Sequence, residues 1–554
     1  MKLIERRVGL LFAAFALAFC LVIMRAAWLQ AVRGGELSAD ARSQQVASVT
    51  VPGIRGSILD RHGNALAVSE EAMTIFATPY QVEDVPKTAR KLAELVDDVS
   101  YEDLLRALSA DTGFEYLARK VDLVTAERIS KLELPGIGTL PDSRRLYPQD
   151  EHAARLIGAV GSEGQGLWGI EAAEDEVLSG ADGEVAVTKD ALGGEIGRDV
   201  LTGAAAGHDV QLTIDGRIQA YTEEVLADVG EKYQPEGATA VTMDPETGEV
   251  LSMASWPPVD PDDLSEADPD LLSNMPTGYT FEPGSTFKAI TVAGALEDDL
   301  VTPQTTFELG PSIQVADRTI EEAHVGHAYG TIDVGDILAF SSNVGAVTVG
   351  LELGAERFDE WVHRFGFGAP TGIDYPNEEM GIVPAEDEYS GSSIGNLPIG
   401  QGLSVTPMQM MAAYAAIANG GTLQPPRLLQ AVDGEPVEPP EGMQVISEKT
   451  SAQVRKMLEG VLGPFGTAPE VSVPGYVLAG KTGTAQKVVD GTYSETQFIP
   501  SFIGFAPAED PKLLVSVVVD EPKGGDYYGG TVAAPVFGEI ASFALPYLGI
   551  APTE

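Results

Sequence analysis

A mixed α/β fold, with an antiparallel sheet flanked by helices, is what this 554-residue sequence predicts. It is preceded by a smaller N-terminal module and a single membrane-spanning helix. Three observations carry the prediction. Strand-like segments gather at both ends of the region after Asp209 (210–214, 239–243 and 250–256, then 499–505 and 513–519), with apolar helical stretches between them. Gly203-Ala204-Ala205-Ala206-Gly207 separates that region from a part of different character. Val8–Met24 runs 17 residues without a charge near the N-terminus.

The uncharged run comes first in order. Seventeen helical residues span about 25 Å, short for a bilayer but sufficient if Arg25 snorkels and Ala26–Leu29 continue the helix. Lys2, Arg6 and Arg7 precede it, so the N-terminus is expected in the cytoplasm and the body outside. No small-residue cleavage site follows before Arg33-Gly34-Gly35, and Phe19 precedes Cys20 where a lipoprotein signal needs a small residue. An uncleaved anchor over 8–28 after a cytoplasmic tail of 1–7 is the expectation, with a removed signal as its alternative. Cys20 is the sole cysteine, so no intramolecular disulfide exists.

Residues 41–52 turn from polar to alternating and predict an extended segment. Arg55–Ala67 reads as strand, Arg61–Asn64 turn, strand. Residues 82–135 read as helices with polar faces. In 145–171 the glycines and aromatics, Tyr147 and Trp168 among them, point to packing within the N-terminal module. Beyond Asp209, Arg217–Val229 is an amphipathic helix, and Asp244–Glu249 is a Pro/Gly turn joining two strands. Met408–Asn419 is a helix with readable ends: Thr406 as cap, Pro407 at its first position, Gly420-Gly421 as stop. Residues 533–547 close the chain as a helix.

The formal net charge is −48, from 83 acidic and 35 basic side chains, a field that repels polynucleotides and excludes a nucleic-acid partner. Lysine is scarce: none stands between Lys288 and Lys449. Against that background three motifs occur in order: Ser285-Thr286-Phe287-Lys288, Ser341-Ser342-Asn343 and Lys481-Thr482-Gly483. After the Pro283-Gly284 break, Ser285–Leu296 is apolar enough to be a buried helix. Ser285 would stand at its N-terminus, where free N–H groups favour negative charge. Lys288 lies one turn on, within reach of the Ser285 hydroxyl, and works as a base if burial beside Lys481 lowers its pKa. Ser341 can relay a proton and the Asn343 amide can hold a peptide backbone. Lys481–Thr484 reads as an edge strand on which Gly483 lets substrate approach. There the Thr482 and Thr484 hydroxyls with Lys481 suit a terminal carboxylate. Glu282 and Asp490 are the acidic residues near the motifs, and neither has a spacing that reaches an ester at Ser285. His324 and His327 are two possible metal ligands, but a loop role fits them better and no metal or other cofactor is expected.

The three motifs together are those of the penicillin-recognising serine acyltransferases, and the chain closely resembles class B penicillin-binding proteins. The second resemblance rests on Arg55-Gly56-Ser57-Ile58-Leu59-Asp60-Arg61-His62-Gly63-Asn64-Ala65-Leu66-Ala67 and on Arg145-Leu146-Tyr147-Pro148 with Gly166-Leu167-Trp168-Gly169-Ile170-Glu171. It implies the penicillin-recognising transpeptidase fold over 206–554, after a pedestal or dimerisation-type module over 29–205. It also implies a D,D-transpeptidase of the bacterial cytoplasmic membrane that cross-links peptidoglycan stem peptides through a serine acyl-enzyme and is acylated by β-lactams. Ser285, Lys288, Ser341, Asn343 and Lys481 would be catalytic; Thr482, Gly483 and Thr484 would bind substrate; the N–H groups of Ser285 and Thr484 would form the oxyanion hole. The septal type is the closer likeness, with a polytopic glycosyltransferase and other division proteins as partners. An elongation-type enzyme, a membrane-tethered β-lactamase and a non-catalytic β-lactam receptor are the alternatives.

Overall fold

The computed structural model describes residues 2–33, 46–96, 99–149, 151–189, 195–260, 273–324, 326–489 and 491–553. Part of the extended segment expected over 41–52, and Asp490, lie outside these; Val46–Val51 is a strand. Lys2–Ala31 forms one helix, longer than the uncharged run alone, and from Ile4 it is long and apolar enough to cross a membrane.

The chain divides into two compact units. The first comprises residues 1–54, 70–144 and 180–207. In it a three-stranded antiparallel sheet is built from Val46–Val51, Gly183–Lys189 and Glu195–Thr202. Helices Val85–Ala93, Tyr101–Leu108 and Leu123–Ser130 bury Leu92, Leu104, Leu108 and Ile129 together with Ile75. The wholly helical reading of 82–135 needs one correction. Glu115–Asp122 is a strand, paired antiparallel with Ala72–Ala77. Its register shifts twice and Lys120 adopts φ +56°, so charged and apolar residues do not alternate cleanly and the period of two is blurred.

The second unit comprises 55–69, 145–179 and 208–554. The expected hairpin is present: Ile58–Leu59 pairs with the strand that starts at Ala65, and Asp60 Oδ1 accepts from the N–H groups of His62 and Asn64, both at 2.8 Å, to hold the turn. Glu171, fully buried, takes Arg55 Nε at 2.6 Å and Arg145 Nε at 2.7 Å. The three charged residues that mark two separate sequence segments therefore share one buried cluster.

The main sheet has five antiparallel strands in the order Val250–Trp256, Gly237–Met243, Leu513–Asp520, Thr492–Ala506, Ala479–Val489. Leu514 and Val518 enter the core shared with helices Lys288–Glu297, Asn343–Arg364 and Pro407–Ala418. Val515, Val517 and Val519 enter the core beneath Gly216–Tyr233 and Gly529–Tyr547. Both faces being covered, Leu513–Val519 is almost continuously apolar. The edge position falls to Ala479–Val489, which carries the third motif. The helix at Pro407 starts with a reciprocal cap, Thr406 Oγ1 accepting from Gln409 N at 3.0 Å and Gln409 Oε1 from Thr406 N at 2.9 Å.

Candidate active site

Ser285 sits in a tight 3₁₀ turn, Gly284–Phe287, that runs straight into the α-helix Lys288–Glu297. One uniform helix was expected here; the first turn is wound tighter. Gly284 has φ +54°, a conformation that favours glycine. The turn is anchored on several sides. Tyr414, fully buried, donates to Thr286 O at 2.7 Å, Gly284 N donates to Gly400 O at 3.0 Å, and Thr286 Oγ1 donates to Pro283 O at 2.7 Å. Glu282 does not face the reacting region. Its Oε1 accepts from Gly402 N at 2.9 Å and Tyr493 OH at 3.1 Å, and burial raises its pKa.

Lys288 is buried and its amine is turned toward the second motif. Nζ donates to Ser341 O at 2.6 Å and Asn343 Oδ1 at 2.7 Å, and lies 3.3 Å from Ser341 Oγ. Three acceptors match the three donors of an ammonium. The expected contact with Ser285 is absent: among the described residues Ser285 Oγ has no hydrogen-bond partner. Burial lowers the Lys288 pKa to about 7, and the charge of Glu322 opposes that fall. Burial beside Lys481 was expected to supply the shift, and burial is its main cause. The like charge of Lys288, added to complete burial, holds Lys481 itself well below the ordinary lysine value.

Ser341 lies between two helices, Val334–Ala339 and Asn343–Arg364, with φ +60°. The Asn343 amide is already engaged, Oδ1 by Lys288 and Nδ2 by the carbonyl of Glu321 at 3.0 Å. Lys481 is likewise enclosed, donating at 3.2 Å to Thr482 O and at 3.5 Å to Thr482 Oγ1, so it lies beneath the surface a substrate would touch. Thr482 Oγ1 is hydrogen-bonded to Thr467 Oγ1 at 2.6 Å, and Thr484 Oγ1 accepts from Gly529 N at 3.0 Å. Gly483 is packed closely: a Cβ there would lie 2.3 Å from Ser501 Oγ, 3.0 Å from Thr286 Cγ2 and 3.1 Å from Pro283 O. The third-motif strand thus rests directly on the turn that carries Ser285.

A cleft of about 870 Å³ joins these parts. Ser285, Ser341, Asn343, Thr482, Gly483 and Thr484 all line it; Lys288 and Lys481 stand behind its wall. Among the described residues no Asp or Glu lines it. His324 reaches the rim, and the His327 ring packs edge-on against Tyr329 with centroids 4.5 Å apart. One residue of the site was not found from the sequence. Glu322, almost fully buried, accepts from Ser342 Oγ at 2.5 Å and Asn343 N at 2.7 Å. It stands two residues before His324, and its distance from the second motif gives no spacing signal.

Residues 238–542 match the family described as the penicillin binding protein transpeptidase domain, and residues 50–212 the penicillin-binding protein dimerisation domain. The chain is 38% identical over 553 residues to stage V sporulation protein D of Bacillus subtilis, covering 97% of this chain and 85% of that protein. It is 34% identical over 560 residues to the peptidoglycan D,D-transpeptidase FtsI of Escherichia coli, covering 99% and 93%. Among solved structures, penicillin binding protein 3 of Mycobacterium tuberculosis complexed with aztreonam superposes with a TM-score of 0.72 at 30% identity, over 91% of this chain and 98% of that one.

Proposed function

The chain belongs to the class B penicillin-binding proteins, and on that premise we propose that it is a peptidoglycan D,D-transpeptidase acting through an acyl-enzyme on Ser285. The observation that carries the site assignment is the convergence of the three motifs on one cleft, with Lys288 buried against Ser341 and Asn343. Neutral Lys288 takes the Ser285 proton as Oγ bonds to the carbonyl carbon of the penultimate D-Ala of a stem peptide. The 3.3 Å contact from Nζ to Ser341 Oγ carries that proton onward to the leaving nitrogen. The C–N bond breaks and D-Ala departs. An amine from a neighbouring stem then attacks the ester, its proton returns by the same route, and Ser285 is regenerated. The Ser285–Lys288 contact closes when substrate fills the cleft, as catalytic hydrogen bonds commonly do. The N–H groups of Ser285 and Thr484 receive the oxyanion. Thr482 and Thr484 take the terminal carboxylate by their hydroxyls, and Lys481 acts from beneath, as a group tuned by burial rather than by contact.

The body stands outside the cytoplasmic membrane on its single anchor, with Lys2, Arg6 and Arg7 keeping the N-terminus inside. We assign 29–205 to the pedestal and 206–554 to the transpeptidase region. Similarity to a protein named FtsI supports a septal duty beside a polytopic glycosyltransferase, and fluorescent-penicillin signal on this protein gathering at mid-cell would support it further.

With no carboxylate lining the cleft among the described residues, water finds no placed base there at the ester, and an amine can outcompete it. The test is benzylpenicillin turnover by the detergent-solubilised full chain. We expect a penicilloyl-enzyme lasting many minutes and turnover below about one per minute, against a typical enzyme kcat of about 10 s⁻¹. Hydrolysis at several per second would replace this reading with a membrane-tethered β-lactamase.

A further inference from the structure

We propose that Glu322 is a positioning residue for the acylation step: its buried carboxylate fixes the Ser341–Asn343 turn that holds Lys288, and places a fixed negative charge behind that amine. This deepens the transpeptidase reading and rests on it.

Glu322 is only 4% exposed, yet among the described residues no Lys or Arg pairs with it. A buried carboxylate is tolerated only when well hydrogen-bonded, and Glu322 has three donors: Ser342 Oγ at 2.5 Å, Asn343 N at 2.7 Å and Val344 N at 3.3 Å. Two of them are free N–H groups in the first turn of Asn343–Arg364, where negative charge is favoured. The residue just before this clamp, Ser341, stands at φ +60°, a conformation costly for a residue with a side chain. Its carbonyl and the Asn343 side chain are the two short contacts of Lys288 Nζ. Glu322 therefore holds from behind Asn343 and Ser342, the residue next to Ser341, while Ser341 and Asn343 hold the amine from the front.

Its charge also reaches Lys288. Burial lowers the amine and Glu322 raises it, so the two oppose one another. Of the other titratable groups, Lys481 from the edge strand feels the charge of Lys288, and the Tyr329 phenol feels that of Glu322.

The test is the rate of covalent labelling by a fluorescent penicillin between pH 5 and 9, with the full chain in detergent. Glu322→Gln keeps the size but removes the charge. Its plateau should fall about tenfold or more, the usual effect of a small misplacement. Its acidic limb should move to lower pH by about half a unit or more, as expected when a nearby opposite charge is lost. Glu322→Asp keeps the charge but shortens the reach, so its plateau should fall while its limb stays with the wild type. An unmoved limb in Glu322→Gln, or an unchanged plateau in either variant, overturns the proposal. Should Glu322→Gln fail to fold, the plateau of Glu322→Asp decides. Absence of labelling in the wild type would instead refute the transpeptidase reading itself.

Discussion

Gly483→Ala is the substitution whose consequence follows most directly from the packing of the third motif on the nucleophile's turn. A Cβ at 483 would meet Ser501 Oγ at 2.3 Å, a separation real Cβ contacts do not show, and Thr286 Cγ2 and Pro283 O at 3.0 and 3.1 Å. The strand must lift from the turn, and overpacking of this kind costs about 1–3 kcal/mol. For a domain of this size that is a fall of about 2–6 °C in Tm. Acylation should slow by about 10- to 100-fold, because the same displacement separates Ser285 from Thr484. Among the described residues Ser501 Oγ is buried without a hydrogen-bond partner, so Ser501→Ala alone should cost nothing measurable. It also removes the atom of the worst clash. The double variant Gly483→Ala/Ser501→Ala should therefore recover about half of the lost stability, a coupling of about 1 kcal/mol. Thermal denaturation and fluorescent-penicillin labelling of the four proteins measure both quantities. Strictly additive costs, or a Gly483→Ala protein as stable and as reactive as the wild type, would refute the reasoning.

Further expectations follow from buried charge. Wild-type acylation should climb with pH through about 7, since the base must be neutral. Lys288→Arg, whose guanidinium stays protonated, should lose at least about a hundredfold across that range. The same group gives a stability check: its folded pKa lies below the unfolded value, so the unfolded chain binds more protons between about pH 7 and 10. Stability should rise with pH across that window, and less so in Lys288→Met denaturation curves. Lys481→Met should raise Tm while lowering the labelling rate, because among the described residues no carboxylate compensates that buried amine. Glu171→Leu should cost about 3–5 kcal/mol in thermal denaturation by leaving Arg145 buried without a carboxylate partner and Arg55 with Asp175 alone.

Much of this fold was legible because its signals are local. Thr406, Pro407 and Gly420 mark a helix from start to stop, and Asp60–Asn64 marks a turn, by chemistry contained in a few residues. The edge strand of the third motif was legible from its small residues and the apolar hairpin that follows it. What was not legible depends on partners far away in sequence. Glu115–Asp122 is a strand because residues 72–77 lie beside it, not because its own pattern alternates. Residues 55–69 and 145–179, far apart in sequence, are tied to each other by one buried carboxylate, Glu171, which binds an arginine from each. At the site, the motifs identify which residues converge but not where a flexible amine points. Lys288 turns to Ser341 and Asn343 because they offer three acceptors against one hydroxyl from Ser285. Glu322 had no pattern at all, since only the folded loop brings it to the helix start.

The central claim is that Ser285 is the nucleophile. Its most direct test is to incubate the full chain with benzylpenicillin, digest it and locate the adduct by mass spectrometry. A single penicilloyl group on the peptide containing Ser285, absent from a Ser285→Ala protein that melts within about 1 kcal/mol of the wild type, is the expected result. An adduct on Ser341 or Ser342, or undiminished labelling of Ser285→Ala, would contradict the account.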